Sequence, residues 1–133
     1  MNTRNKYLLI TLRGIFGLAL IAFGVLGLFF NPPTEGLTPA TAAALQGIAA
    51  LGYAQLIALT ELIAGLLIIT GFLPALGALL VAPVTVGIIV FHLMREPSTI
   101  IPGIIFAALN LYFGYVYWEK YEALFTYRNV RRK

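Results

Sequence analysis

Glu61 is the one acidic residue set inside a long apolar run, and its surroundings make it the first candidate for chemistry. A carboxylate near mid-bilayer is costly, so it must be paired, protonated or in contact with a cavity. Four other side chains share its setting: Arg13, His92, Asn110 and Tyr112. Together they form a candidate intramembrane polar site, in which carboxyl, imidazole, amide and phenol groups handle protons or hydrogen bonds. At about 1.5 Å rise per residue, Glu61 lies roughly 12 Å and Asn110 roughly 15 Å from one end of their helices. Arg13 sits roughly 9 Å in from the opposite side, and His92 falls close to a surface. A Glu61–Asn110 contact is therefore expected, with Arg13 long enough to reach toward it.

Each residue also has a plainer reading. Arg13 snorkels to headgroups as readily as it forms an internal ion pair. Asn110 serves as interhelical glue, and His92 as a hydrogen-bonding group in a loop. The aromatic cluster Tyr112, Tyr115, Tyr117, Trp118 and Tyr121 reads as an interfacial belt, with Tyr112 the deepest member. No metal site is expected: the chain has no cysteine and a single histidine. Thiol relays, iron–sulfur clusters and thiolate zinc are excluded. No G-x-G-x-x-G opens a helix after a strand.

The elements that position these groups follow from composition. Among 133 residues, 60% are hydrophobic and 11% charged, with mean hydropathy +0.91. A soluble chain this short cannot bury that much apolar side chain. A cytosolic enzyme, a nucleic-acid module and a disulfide scaffold are ruled out. Four apolar runs, Leu8–Phe30, Tyr53–Leu73, Ala75–Leu93 and Ile100–Trp118, approach the length of about 20 residues that spans a bilayer. Lipid-exposed backbone must satisfy itself internally, so these are helices, and the expected fold is an all-α four-transmembrane-helix bundle. The first run is too long for a signal peptide's apolar core and stays as a permanent span.

The connections add detail. Asn31-Pro32-Pro33-Thr34-Glu35-Gly36 breaks the chain, and Thr38-Pro39 reads as an N-cap with proline at the first helical position. The segment 39–51 is too short to cross, so a short amphipathic interfacial helix is expected there, with Leu45, Ile48 and Leu51 on one face. Gly71-Phe72-Leu73-Pro74 reads as a tight hairpin, and Pro83 as a bend. The segment 119–133 is expected to be a basic tail. Eight of the nine bases fall on the side of the termini and only Arg95 on the other. The positive-inside rule then puts both termini in the cytoplasm, in a cell membrane of the prokaryotic inner-membrane kind. Residues Arg128 to Lys133 could also meet anionic lipid or a protein, but a topology determinant explains them more simply.

Small residues recur at alternating fours and threes and mark packed faces. The stripes are Arg13, Gly17, Leu20, Gly24 and Gly27 in span one, and Ala54, Ala58, Glu61 and Gly65 in span two. Span three offers Ala75, Ala78, Ala82, Thr85, Ile89 and His92; span four offers Gly103, Ala107, Asn110, Gly114 and Tyr117. The opposite faces, rich in Leu, Ile, Val and Phe, are expected to face lipid.

In order along nearly its whole length the chain resembles the DoxX-like small membrane proteins. The matching residues are Arg13 with its glycine-rich span, Thr38-Pro39 through to Gly52-Tyr53, Glu61-Leu-Ile-Ala-Gly65 and Phe72-Leu73-Pro74. Leu80-Val-Ala-Pro83 through Phe91-His92-Leu93 follows, then Leu109-Asn110-Leu111-Tyr112 and Trp118. Gly87 stands where the family often carries an asparagine, which would alter a site there. The resemblance implies a four-helix bundle and a subunit linked to membrane redox complexes, among them thiosulfate:quinone oxidoreductase and a thiol-stress oxidoreductase assembly.

Two functions follow as expectations. One is a membrane subunit of a redox or quinone-linked complex, lining a quinone or lipid groove, with no intrinsic cofactor and quinone as the ligand. The other is a non-catalytic structural or assembly subunit of a larger complex. The lipid bilayer is the expected environment, with protein partners in a complex or a homo-oligomer, and no nucleic acid. A small transporter or proton-conducting oligomer is a third, weaker option.

Overall fold

The computed structural model describes residues 3–125, with side chains from Asn5 onward. Six helices account for most of them: α1 (Thr3–Phe29), α2 (Pro39–Ala50), α3 (Tyr53–Thr70), α4 (Pro74–Arg95), α5 (Ile100–Val116) and α6 (Trp118–Phe125). A 3-10 turn, Pro97–Thr99, joins α4 to α5. Four segments are long and apolar enough to cross a membrane: Asn5–Phe29, Tyr53–Thr70, Pro74–Arg95 and Pro97–Val116. The fold is the expected four-helix membrane bundle. Arg128, Arg131, Arg132 and Lys133 lie outside the described residues.

Sequence neighbours pack as antiparallel pairs, α1 on α3, α3 on α4 and α4 on α5, so both described ends of the chain emerge on one side. We call this the termini side. The α1–α3 pair is the most extensive, and glycine explains it. A Cβ at Gly24 would stand 2.7 Å from the Ala58 carbonyl oxygen, and one at Gly17 would stand 2.7 Å from Ile69 Cβ. Only hydrogen fits at either position, and that lets the backbones touch. Lipid tails are as apolar as leucine, so close packing of this kind drives association.

Two features depart from expectation. The small-residue faces do meet, but the core between them is aromatic. Phe16 is fully buried, with its ring centroid 5.0 Å from Phe106 edge-on and 5.5 Å from Phe113 in a stack. These contacts close α5 back onto α1. Phenylalanine was expected toward lipid; here three of them fill the space that the small residues leave, along with Leu20, Ile68 and Val81. The second departure is at the end of span four. The helix stops at Val116, and Trp118–Phe125 forms a separate helix where a basic tail was expected.

Caps and turns follow local chemistry. Thr38 caps α2 by accepting from the Thr41 amide, with Pro39 in the first turn. The face of α2 turned to the bundle carries Thr41, which is buried, and Leu45 and Ile48, whereas Leu51 lies past the helix end and is exposed. The α3–α4 hairpin turns through Gly71 (φ 75°) and Leu73 (φ 76°), and only the glycine takes the left-handed conformation without steric cost. α4 runs on through Pro83, whose missing N–H leaves the Leu79 carbonyl without its helical partner.

Candidate functional site

In a transmembrane helix every mid-helix N–H is spent on the carbonyl four residues back, whereas each carbonyl keeps a second lone pair. The backbone of a bundle therefore has spare acceptors and no spare donors. Side chains that donate can be satisfied anywhere, and side chains that only accept cannot. This asymmetry sorts the polar groups of the chain.

Arg13 is a donor and is satisfied. Its Nε donates to the Ile68 carbonyl at 2.9 Å and its Nη2 to the Ile69 carbonyl at 3.4 Å. These oxygens belong to the last turn of α3, where free carbonyls and the negative end of the helix dipole favour a cation. The guanidinium packs against Gly71 and lies beside the Tyr117 phenol. Arg13 is thus the C-terminal cap of α3 on the termini side. It does not reach Glu61 or Asn110, because the helix end offers nearer acceptors.

Asn110 is satisfied in the same way. Its Nδ2 donates to the Ala78 carbonyl at 3.0 Å, tying α5 to α4 in a buried position. A carbonyl can only accept, so this bond fixes which way round the amide sits. The expected Glu61–Asn110 contact is not made, because Asn110 looks across to α4. Thr85 donates to the Val81 carbonyl at 3.0 Å. His92 stands at the α4–α5 turn, with Nδ1 2.9 Å from Thr99 Oγ1, beside Gly103 and edge-on to Phe91. Tyr112 is half-buried on the flank of the aromatic core, against Phe113, and Asn110 bonds to Ala78 and not to it.

Glu61 is the group left over. It is 7% exposed, and it forms no hydrogen bond or ion pair among the described residues. It lies on the buried face of α3, between Ala58 on one turn and Ala64 and Gly65 on the next. Ionised, the group only accepts, so the surrounding helix carbonyls offer it nothing; protonated, it carries a single O–H that one of those carbonyls can accept.

Beside Asn110 a groove of about 290 Å³ opens between α4 and α5 toward the lipid-facing surface. Ala82, Val86, Ile89, Val90, Ala107 and Leu111 form its walls, with the buried Thr85 and Asn110 among them. Asn110 spends one N–H on Ala78, which leaves a second N–H and the side-chain carbonyl for a ligand. The size falls at the lower end of small-molecule sites, which are mostly apolar with a few placed polar groups. Thr85 belonged to the span-three stripe but was not singled out by sequence. Its place opposite Asn110 depends on the register of α4 against α5, which spacing within one helix does not reveal.

Further side chains have partners that the sequence did not reveal, among them Tyr121, which was read as part of an interfacial belt. Tyr121 is buried and donates to the Ala75 carbonyl at 2.6 Å, latching α6 to the first turn of α4. Burial pushes its phenol above the ordinary range, as does Tyr117 beside it. Burial also raises Tyr117, and the Arg13 guanidinium offsets part of that rise. On the opposite side, Thr41 donates to the Arg95 carbonyl at 3.4 Å, so α2 closes the end of α4. Glu96 accepts from Ser98 at 3.2 Å through Oε1, while its buried Oε2 has no partner. No group of three or more metal-ligating side chains occurs among the described residues. Comparison of the chain with protein-family models, characterised proteins and solved structures finds no match.

Proposed function

We propose that the chain is a DoxX-like membrane subunit that holds a quinone, in the service of a membrane redox complex, in the groove between α4 and α5. The observation that carries this reading is the pairing of an apolar groove with Asn110, whose spare N–H is a hydrogen-bond donor near mid-bilayer depth. A quinone is an apolar ring and tail with carbonyl oxygens that need a donor, and few membrane-soluble molecules match that description as well. Apolar walls leave the tail in contact with lipid while the ring is held at the helix surface. Eight of nine bases on one side support a cell-membrane protein with cytoplasmic termini.

The test is purification in mild detergent followed by extraction and mass spectrometry of bound isoprenoid quinones. Near-stoichiometric quinone in the native chain, lost in Asn110→Leu with the bundle still helical, is the expected result. Quinone-free native protein, or equal occupancy in the variant, overturns the reading.

A second reading, a non-catalytic assembly subunit of a larger complex, is favoured by the intrachain hydrogen bonds that engage Arg13, Asn110, His92 and Tyr121. Isolation at fixed stoichiometry inside a complex, far from that complex's cofactors, decides for it.

A further inference from the structure

The floor of the α4–α5 groove is richer in acceptors than in donors. Asn110 and Thr85, the polar residues of its wall, are 8% and 6% exposed, so the bonds they already make decide what each presents. The Thr85 hydroxyl gives its proton to the Val81 carbonyl at 3.0 Å, and only oxygen lone pairs are left. Asn110 spends one of its two N–H groups on the Ala78 carbonyl at 3.0 Å, which leaves one N–H and the whole of Oδ1. Oδ1 accepts nothing from the described residues, yet it is not sealed: it keeps surface that a ligand in the groove can touch. The unused capacity is one donor against two acceptor oxygens.

Neither lipid nor backbone corrects that imbalance. Acyl chains bring no donor, and the helix N–H groups are spent on their own carbonyls. A ketone oxygen only accepts, so it takes the one N–H and leaves Oδ1 as bare as before. A hydroxyl does both: its proton goes to Oδ1 and its oxygen takes the spare N–H. We propose that the groove selects the reduced, hydroxyl-bearing form of a quinone, with Asn110 Oδ1 as the acceptor that tells quinol from quinone. The inference rests on the quinone reading above and decides which redox form the site holds. Thr85 Oγ, its proton committed to α4, is the second acceptor within the same wall. None of the described residues that line the groove ionises, so the quinol keeps its protons when it binds. The groove is then a holding site for the reduced carrier on its way into or out of the lipid.

Three matched probes test this on the full-length protein in lipid nanodiscs, under anaerobic conditions, with empty nanodiscs subtracting partition into lipid. They are decylubiquinone, decylubiquinol and decylubiquinol dimethyl ether, whose oxygens accept but no longer donate. Decylubiquinol should bind at least about fivefold tighter than either of the others, the worth of one additional hydrogen bond. In Asn110→Leu that preference should disappear. Decylubiquinone binding as tightly as decylubiquinol overturns the proposal and leaves the quinone reading standing. A dimethyl ether that matches decylubiquinol also overturns it, because hydroxyl donation is then not what the site reads. A preference that persists in folded Asn110→Leu overturns the role given to Oδ1. Failure of the native chain to bind any of the three overturns both this proposal and the quinone reading. The comparison of probes on the native chain holds whether or not the variant folds.

Discussion

Replacing Glu61 by methionine should make the bundle more stable. The two side chains have similar length, and the site on α3 is 7% exposed, so methionine fills the same space without opening a cavity. What changes is the unspent hydrogen-bonding capacity of a carboxyl that has no partner among the described residues. Burying a polar group without compensation costs about 1–3 kcal/mol by mutational measures; the Glu61 oxygens keep some exposed surface, so Glu61→Met should recover the lower part of that range. Glu61→Gln separates shape from chemistry. Its amide brings two N–H donors into a region of spare carbonyl lone pairs, so it should fold at least as well as the native chain. Reversible unfolding in mixed SDS and mild-detergent micelles gives both values, with helicity as the signal. A loss greater than about 1 kcal/mol in Glu61→Met refutes the reasoning, because a carboxyl engaged in a stabilising interaction is the case in which removal costs that much. If Glu61 is kept for function, Glu61→Gln should retain the fold and lose ligand binding or activity. Full function in that variant makes Glu61 a structural residue.

Four further outcomes follow from the local surroundings of particular residues. Gly24→Val should destabilise by about 1–3 kcal/mol in the same unfolding measurement, because the atoms nearest its new Cβ are α3 backbone and Leu62 Cβ, which cannot swing aside. Gly114→Ala, where nothing lies within 4 Å of the added carbon, should be neutral or stabilising. Arg13→Met removes a charged hydrogen-bonding cap from the end of α3 and should cost about 1.5–3 kcal/mol, with hydrogen exchange rising first at the Thr70–Leu73 turn. Stability should fall at high pH. Tyr117 and Tyr121 are raised above the ordinary phenol value, so their contribution is complete below pH of about 10 and is lost as pH climbs through their folded values. Tyr121→Phe should flatten that alkaline decline, and unfolding midpoints measured from neutral to alkaline pH in both proteins check it.

The spans, the α2 cap and the hairpin were legible because they depend on short-range chemistry: apolar length, Thr38 before Pro39, and Gly71 next to Phe72-Leu73-Pro74. The glycine face of α1 was legible for a related reason, since only close backbone approach explains Gly17, Gly24 and Gly27 on one stripe. The aromatic core was not. Phe16, Phe106 and Phe113 look like lipid-facing residues when each helix is read alone, and only the closing of α5 onto α1 turns them inward. The partners of the polar side chains were hidden more deeply. Arg13, Asn110, Tyr121 and Thr41 all end on backbone carbonyls, of Ile68, Ala78, Ala75 and Arg95. Every residue carries such an oxygen, so no side-chain pattern can reveal which one is used. An expectation built from side chains pairs acid with base and amide with acid, as Arg13, Glu61 and Asn110 invite. Inside a helical bundle the donors have a nearer choice, and once they take it the acceptor is stranded. Glu61 therefore stands out in the fold for a reason that its sequence position could not supply: Arg13 and Asn110 each had a backbone carbonyl at hand, and neither donates to it.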